Sequence, residues 1–394
     1  MTSLNLLGAL LALAVSSLLS VWFLANKKSH AAGTLENKTA NPVSLPKGWW
    51  SNAERFQAER RAIFSQTWTC VSHRGRFKKP GDYIVYEVAG FRFFMILGKD
   101  KIVRSFHNVC RHRAFPVARK DAGSSTVLGC RFHGWSYDYT GRLIKAPYFD
   151  NNPSFDRSQN GLFAINTKED KNGFLYINPE TDPKIAESTP PQGVATRTLV
   201  KITPDLSQVH SFELDGVFNW KLIVNEFGPS GPTPATGMAK LFPMFFATTT
   251  ARLDIYPLTV VHTASGSNYW YQITYNPISA TKTSVRCDLY SAKSSGSPQL
   301  DQTTRENLEQ EVKQRIQALE AEHKKVTAFG YDAVSTSQYQ EKIASVVESH
   351  IKQERLQGCE IRPAEVKAQP TDKVTAKAES ICAAVDCGEK KLDW

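Results

Sequence analysis

Cysteine is sparse in this chain of 394 residues: seven, an odd number, with no dense spacing. A disulfide scaffold is thereby excluded, and a reducing compartment fits best. Cys70, Cys287 and Cys359 read as buried or incidental thiols, and Cys382 and Cys387 lie in a polar tail. There is no internal repeat, and no helix-turn-helix, zinc-finger or RNP-type pattern. Nucleic acid is therefore not expected as a partner, although the net charge is +10. Acidic residues are what the middle of the chain lacks. Residues 101–145 hold nine Lys or Arg against two Asp, a local charge of +7. Charge of one sign steers encounter, so this stretch reads as a docking face for an acidic protein, with a solvated surface as the alternative.

Charge is also absent from residues 4–25, LNLLGALLALAVSSLLSVWFLA. As a helix this run would span about 33 Å, against about 30 Å for a bilayer core. A secretory signal competes, but no positive charge precedes the run and it is long for one. Lys27 and Lys28 follow it, which by the positive-inside rule puts the body in the cytosol. The expectation is a single-pass membrane protein with an anchor over 1–26 and a tether over 27–44.

The rest is ordinary globular sequence, 41 % apolar and long enough for two domains. Ser51 reads as the N-cap of a helix with a stripe of Phe56, Ala58, Ile63 and Phe64. Short β-type runs follow: TCVSH, DYIVYEV, FRFFMIL and KIVRSFH. Strands dominate again from about 165 to 290. Two helices come next, one with Leu308, Val312, Ile316 and Leu319 on a face, the other with Tyr339, Ile343, Val347 and Ile351. Gly358 should stop the second. Residues 361–394 read as disordered.

Cys110-Arg111-His112 and Cys130-Arg131-Phe132-His133 make C-x-H, seventeen intervening residues, then C-x-x-H. Two loops, each bringing one thiolate and one imidazole, can converge on a metal centre. Zinc would accept two cysteines and two histidines. The one-residue gap of C-x-H favours instead a Rieske [2Fe–2S] cluster, with thiolates on one iron and imidazoles on the other. Gly134-Trp135-Ser136-Tyr137 continues the second loop, where a Tyr hydroxyl could donate to a ligand sulfur. Arg111, Arg113 and Arg131 would favour the reduced, more negative cluster.

The run AGFRFFMILGKDKIVRSFHNVCRHRAFPVARKDAGSSTVLGCRFHGWSYDYTGRLIKAP resembles the Rieske domain of ring-hydroxylating oxygenase α-subunits. LPKGWWSNAERFQAERRAIFSQTW and VFNWKLIVNEF resemble that family's flanking segments, with a leaning toward its choline monooxygenase-like and fungal branch. The resemblance implies an α+β fold: a β-rich Rieske domain over 45–180, joined to a helix-grip-like antiparallel sheet domain with C-terminal helices over 181–360. It implies electrons from an NAD(P)H-dependent reductase or a ferredoxin, and a homotrimer in which they cross to a mononuclear Fe(II) that activates O₂.

That iron normally sits between two histidines and a carboxylate. The resemblance places the histidines after Asn219-Trp220-Lys221, yet after Asn225-Glu226-Phe227 the chain reads GPSGPTPATG, with no metal-binding side chain. The late-helix ligand, an Asp in the family, falls near Glu322-His323. His210, His262 and Glu226 are the candidates for a rebuilt site; His323 and His350, flanked by charge, are expected in solvent. The mononuclear iron is thus in doubt, catalytic residues stay unassigned, and Cys110, His112, Cys130 and His133 are expected to hold one [2Fe–2S] cluster. The expected function is a membrane-anchored Rieske oxygenase acting on a small apolar organic substrate, in specialised metabolism. The alternatives are a Rieske electron-transfer protein and a degenerate oxygenase.

Overall fold

Trp49 and Trp50 are buried, and the helix they lead into is α1 (Ala53–Glu59). Its cap is Asn52, whose side chain accepts from the Arg55 N–H at 2.8 Å. Ser51, the expected cap, sits one residue early. A turn closed by Asn52 N–H donating to Gly48 O at 2.9 Å, with Gly48 at φ +74°, leaves Ser51 facing solvent. The helix widens into a π turn, Arg60–Phe64, in which Ala62, Ile63 and Phe64 are all buried.

A computed structural model describes residues 45–149, 154–195, 202–225, 227, 250–264, 269–291, 302–328 and 338–362. All belong to the unit Leu45–Trp394. The class is mixed α+β. The strands are β1 (Thr69–His73), β2 (Asp82–Val88), β3 (Phe91–Leu97), β4 (Val103–His107), β5 (Ala122–Ser124), β6 (Val127–Gly129), β7 (Ser136–Asp138), β8 (Leu143–Lys145), β9 (Ala164–Glu169) and β10 (Phe174–Asn178). After the short helix α2 (Pro183–Glu187) come β11 (Val194–Ala195), β12 (Ser207–Gly216), the single-turn α3 (Lys221–Val224), β13 (Thr250–Ile255), β14 (Thr259–Ala264), β15 (Tyr269–Pro277) and β16 (Thr283–Ser291). Helices α4 (Gln302–Ala328) and α5 (Gln338–Gln357) follow.

These strands make three sheets, all antiparallel in their pairings. Seven strands run β1-β10-β9-β4-β3-β2-β5, three short ones β6-β7-β8, and six β11-β13-β14-β15-β16-β12. The seven- and three-stranded sheets are the β-rich part expected around the cysteine loops. The six-stranded sheet and the late helices form the second. Its helix-side face carries Ile273, Tyr275, Val285, Cys287 and Leu289, which share a core cluster with Leu308, Val312, Ile316 and Leu319 of α4. The stripe read from spacing is thus the one that is buried, and Gly358 ends α5 at φ +70°.

His323 and His350 depart from expectation. Both are buried: His323 Nε2 lies 3.2 Å from Trp50 O, and His350 Nε2 lies 3.1 Å from a Glu354 oxygen. Charged neighbours in sequence said nothing about the helix face, since residues one apart point about 100° away from each other.

Two buried charge clusters tie the parts together. Asp288 on β16 has no exposed side-chain surface; it accepts from Arg76 and Arg286 at 3.0 Å each, Gln208 at 2.8 Å and Ser211 at 2.7 Å. Both guanidinium groups stack on the Tyr86 ring of β2, and Arg286 also donates to Val71 O of β1. The seven-stranded sheet is thus clasped to the six-stranded one through a single carboxylate. In the second cluster Lys221 donates to Glu59 at 2.5 Å and Trp220 Nε1 donates to its other oxygen at 2.8 Å. Lys221 also lies 4.6 Å over the Trp49 ring.

The expected anchor, residues 4–25, and the tether lie outside the described residues, as does the tail from 363 onward. Among the described residues no helix is long and apolar enough to cross a membrane. The two long helices each bury one stripe and carry charge around the remainder, which a bilayer core would not accept. The single-pass, cytosol-facing placement is corrected accordingly.

Removing one partner of a buried ion pair strands the other charge. Glu59→Ala should therefore cost about 3–5 kcal/mol in urea unfolding, whereas Glu59→Leu with Lys221→Met should recover part of that loss. Equal destabilisation by the single and double variants would show that the pair is not the source.

Candidate metal centre

Cys110 and Cys130 begin two loops of the same hydrogen-bond pattern. Cys110 N–H donates to Phe115 O at 2.8 Å, and Ala114 N–H donates back to Cys110 O at 2.9 Å. Cys130 N–H donates to Trp135 O at 2.7 Å, and Gly134 N–H to Cys130 O at 2.9 Å. Ala114 at φ +58° and Gly134 at φ +71° occupy matching corners. Glycine accepts that geometry freely and alanine does so at a cost, so the first loop carries the strain. Phe115 and Phe132 stack across the two loops with centroids 3.8 Å apart.

This pairing brings all four candidates together. The two cysteines are free thiols in one buried cluster, close enough to share a hydrogen bond. That bond, with burial, pushes the Cys110 thiol up, and the same bond brings the Cys130 thiol down. The His112 and His133 rings lie edge to face with centroids 4.6 Å apart. His112 is stacked on Trp135 at 5.0 Å. Burial, then His133 and Arg113, lower its pKa to about 4, so the imidazole is neutral. Both His112 nitrogens are buried without a hydrogen-bond partner, an arrangement that costs free energy unless something binds there.

Tyr137 supplies the expected donor to sulfur. Its oxygen accepts from Arg111 N–H at 3.0 Å and lies 3.3 Å from Cys110 Sγ, within reach for its proton to be donated to a thiolate there. Arg111 itself donates to Gly161 O and lies 3.9 Å over the Phe163 ring, held beside the loop.

Zinc would need all four side chains to converge on one point. Among the described residues no three His, Cys, Asp or Glu side chains do so. Sulfur beside sulfur and imidazole beside imidazole is the donor set of a binuclear cluster, and the partnerless His112 nitrogens suit it. Residues 67–156 match the Rieske [2Fe-2S] domain family. The carnitine monooxygenase oxygenase subunit of Acinetobacter baumannii is 28 % identical over 292 residues, covering 65 % of this chain and 78 % of that protein. The benzene 1,2-dioxygenase α-subunit of Pseudomonas putida is 33 % identical over 99 residues, 25 % of this chain and 22 % of that one. Among solved structures, the apo form of the quaternary ammonium Rieske monooxygenase CntA aligns with a TM-score of 0.61 at 23 % identity, over 79 % of this chain and 94 % of that one.

Residues 67–156 form a Rieske [2Fe-2S] domain, and the chain as a whole is similar to Rieske oxygenase α-subunits. It is an oxidoreductase of that kind, and its Rieske domain contains both cysteine loops.

Outside the Rieske domain the described candidates for a rebuilt iron site, His210 and His262, do not come together. His210 on β12 and His262 on β14 fall in one cross-strand row, His210–Leu289–Tyr271–His262. Three strand spacings of about 4.8 Å separate them, too far to share a metal. His262 is stacked on Tyr271 at 4.9 Å and kept neutral by burial and by Arg252. The His323 ring is held against the Trp50 carbonyl. Glu226 and residues 228–237 lie outside the described residues.

Sequence reasoning missed Glu59 altogether. The signal was a carboxylate beside Phe56, Ala58 and Ile63 on an otherwise apolar helix face. Glu59 fixes Trp220 and Lys221, while Asn219 is held separately by donating to Ala280 O at 2.7 Å, and Gln340 donates to Lys221 O at 2.6 Å.

A hydrogen bond to a ligand sulfur stabilises the reduced state. Losing about 1.4 kcal/mol of it corresponds to about 60 mV for a one-electron couple. Tyr137→Phe should lower the reduction potential by that order, read by EPR-monitored redox titration. An unchanged potential would mean that the hydroxyl does not reach the sulfur in the loaded protein.

Proposed function

We propose that Cys110 and Cys130 hold one iron, and His112 and His133 the other, of a single [2Fe–2S] cluster in a Rieske-type oxygenase. The observation that carries the reading is the 2 + 2 arrangement of matching loops, with both His112 nitrogens left without a partner. When bound, such a cluster passes one electron at a time at a potential raised by its imidazole ligands. The residues around it do the remaining work. Tyr137 is within reach to donate to a Cys110 thiolate, Trp135 and Phe149 wall the His112 ring, and the Phe115–Phe132 stack holds the loop tips together.

Electrons come in this reading from a ferredoxin or an NAD(P)H-dependent reductase, as the resemblance implies, and the assembly is a homotrimer. The substrate would be a small organic molecule held by a helix-grip-like domain. Its six-stranded sheet presents Tyr269, Tyr271, Tyr275 and Phe212 on the α4 side. Aromatic faces receive both apolar groups and organic cations. The relative from Acinetobacter is a carnitine monooxygenase subunit, and the aligned structure is of a quaternary ammonium monooxygenase. A quaternary ammonium compound is therefore the substrate class proposed, which also suits the choline monooxygenase-like leaning of the sequence.

A second reading keeps the cluster and passes its electrons to a separate protein. It is motivated by residues 228–237, GPSGPTPATG, which offer no metal-binding side chain where the resemblance places the two histidines.

Iron and acid-labile sulfide per chain test both. The oxygenase reading expects three iron atoms and two sulfides, with a Rieske-type EPR signal. Two irons and two sulfides would leave the electron-transfer reading. Bound zinc without sulfide would overturn both. Cys130→Ser should abolish the EPR signal.

A further inference from the structure

The α4 side of the six-stranded sheet holds a negative charge that no neighbouring cation neutralises. Tyr271, His262 and Arg252 are directly paired across β15, β14 and β13, and directly paired residues share a face. Tyr271 packs on the core cluster that includes α4, so this face is the one turned toward the helix. From α4, Glu311 accepts a hydrogen bond from the Tyr271 hydroxyl at 2.8 Å. The Tyr271 ring is fixed in turn by stacking on His262, with centroids 4.9 Å apart and planes 19° apart.

Glu311 is exposed, yet burial pushes its pKa up and the Tyr271 hydrogen bond only partly offsets this. Both hold for a group lining a cleft, which water touches and protein surrounds. The Tyr275 and Cys287 side chains, raised chiefly by burial, are raised further by Glu311 and so lie within its field. The cations on these elements act elsewhere. Arg252 is 2.6 Å from Asp254, Lys313 is 2.7 Å from Glu309, Arg315 acts on Glu322 and Arg305 on His210. Among the described residues none pairs with Glu311. A partly desolvated carboxylate without a cation is costly to keep.

The chemistry selects what would neutralise it. A metal ion needs several ligands, and among the described residues no three ligating side chains meet. A primary ammonium asks for up to three acceptors, while one Glu311 oxygen is already taken by Tyr271. A quaternary ammonium donates no hydrogen bond; it needs negative charge nearby and aromatic faces, which Tyr271 and Tyr275 supply. We propose that Glu311 is the specificity-determining counter-charge for the cationic end of the substrate, with the Tyr271 ring beside it. This rests on the quaternary ammonium reading above and assigns that reading a residue.

The test titrates full-length, cluster-loaded protein calorimetrically with two probes of one shape: choline, and the neutral alcohol in which carbon replaces its quaternary nitrogen. The parent should bind choline about tenfold or more tighter than the neutral probe. Glu311→Gln keeps an acceptor for Tyr271 and removes the charge. Its preference should fall to about threefold or less, through choline alone. A merely structural role would weaken both probes together. Glu311→Asp retains the charge and should keep a preference above about threefold even if it loses stability. Glu309→Gln, which breaks the Lys313 pair on the same helix, should stay within about twofold of the parent. The proposal is overturned by a parent without preference for choline, by an unchanged preference in Glu311→Gln, or by an equal loss in Glu311→Asp or Glu309→Gln. The EPR spectrum of the parent is read separately: a missing Rieske signal sinks the oxygenase reading, whereas the choline preference decides the role of Glu311.

Discussion

Two sulfurs that must both lose their protons are held within hydrogen-bond reach of each other inside an apolar cluster. That is the constraint from which the Rieske part follows. Like charges so close in a low-dielectric setting are tolerable only if something neutralises them, and here that role falls to the proposed cluster. The surrounding structure is arranged for this state. The backbone closes each loop with its own pair of hydrogen bonds, so the sulfurs owe their position to the chain rather than to a metal. The Tyr137 hydroxyl, held by the Arg111 amide within 3.3 Å of Cys110 Sγ, can donate its proton to a thiolate where negative charge accumulates.

The imidazole side obeys the opposite logic. His112 is neutral and walled by Trp135 and Phe149, with both nitrogens unpaired. A neutral imidazole is a ligand, whereas a protonated one is not. Burial therefore favours iron on this side by removing a competing proton, and hydrogen bonding favours it on the other by stabilising thiolate. One short motif contains both devices because its loops repeat the same geometry with different corner residues.

How much of this was legible beforehand depended on range. The loops were, because their chemistry is local: cysteine, histidine and tyrosine at fixed intervals. The stripes of α4 and α5 were legible for the same reason, since a helix face is set by spacing alone. What escaped was set by distant partners. Glu59 lies 162 positions from Lys221 in the chain, and no local pattern announces that pairing. Asn52 displaced Ser51 as a cap because a turn at Gly48 chose between two competent residues. His323 and His350 face inward because the stripe, not the neighbouring charges, sets their direction. His210 and His262 looked interchangeable as candidate ligands until strand order put two strands between them.

The same distinction bears on how the parts cooperate. Asp288 joins β16 to Arg76 and, through stacked guanidinium groups, to Tyr86 of the Rieske sheet. Burial alone would push this carboxyl up, but Arg76, Arg286 and Ser211 outweigh it and hold it below the ordinary range. A group whose folded pKa is depressed contributes its stability above the unfolded value of about 3.9 and loses it as pH falls through the folded one. The clasp is therefore intact at neutral pH and fails only in acid, where the Rieske sheet and the six-stranded sheet would lose their common carboxylate together. A shared buried charge fixes a separation better than an apolar contact, because its hydrogen bonds have direction. The energetic cost of burying Asp288 thus secures the register of the seven-stranded sheet against the six-stranded one.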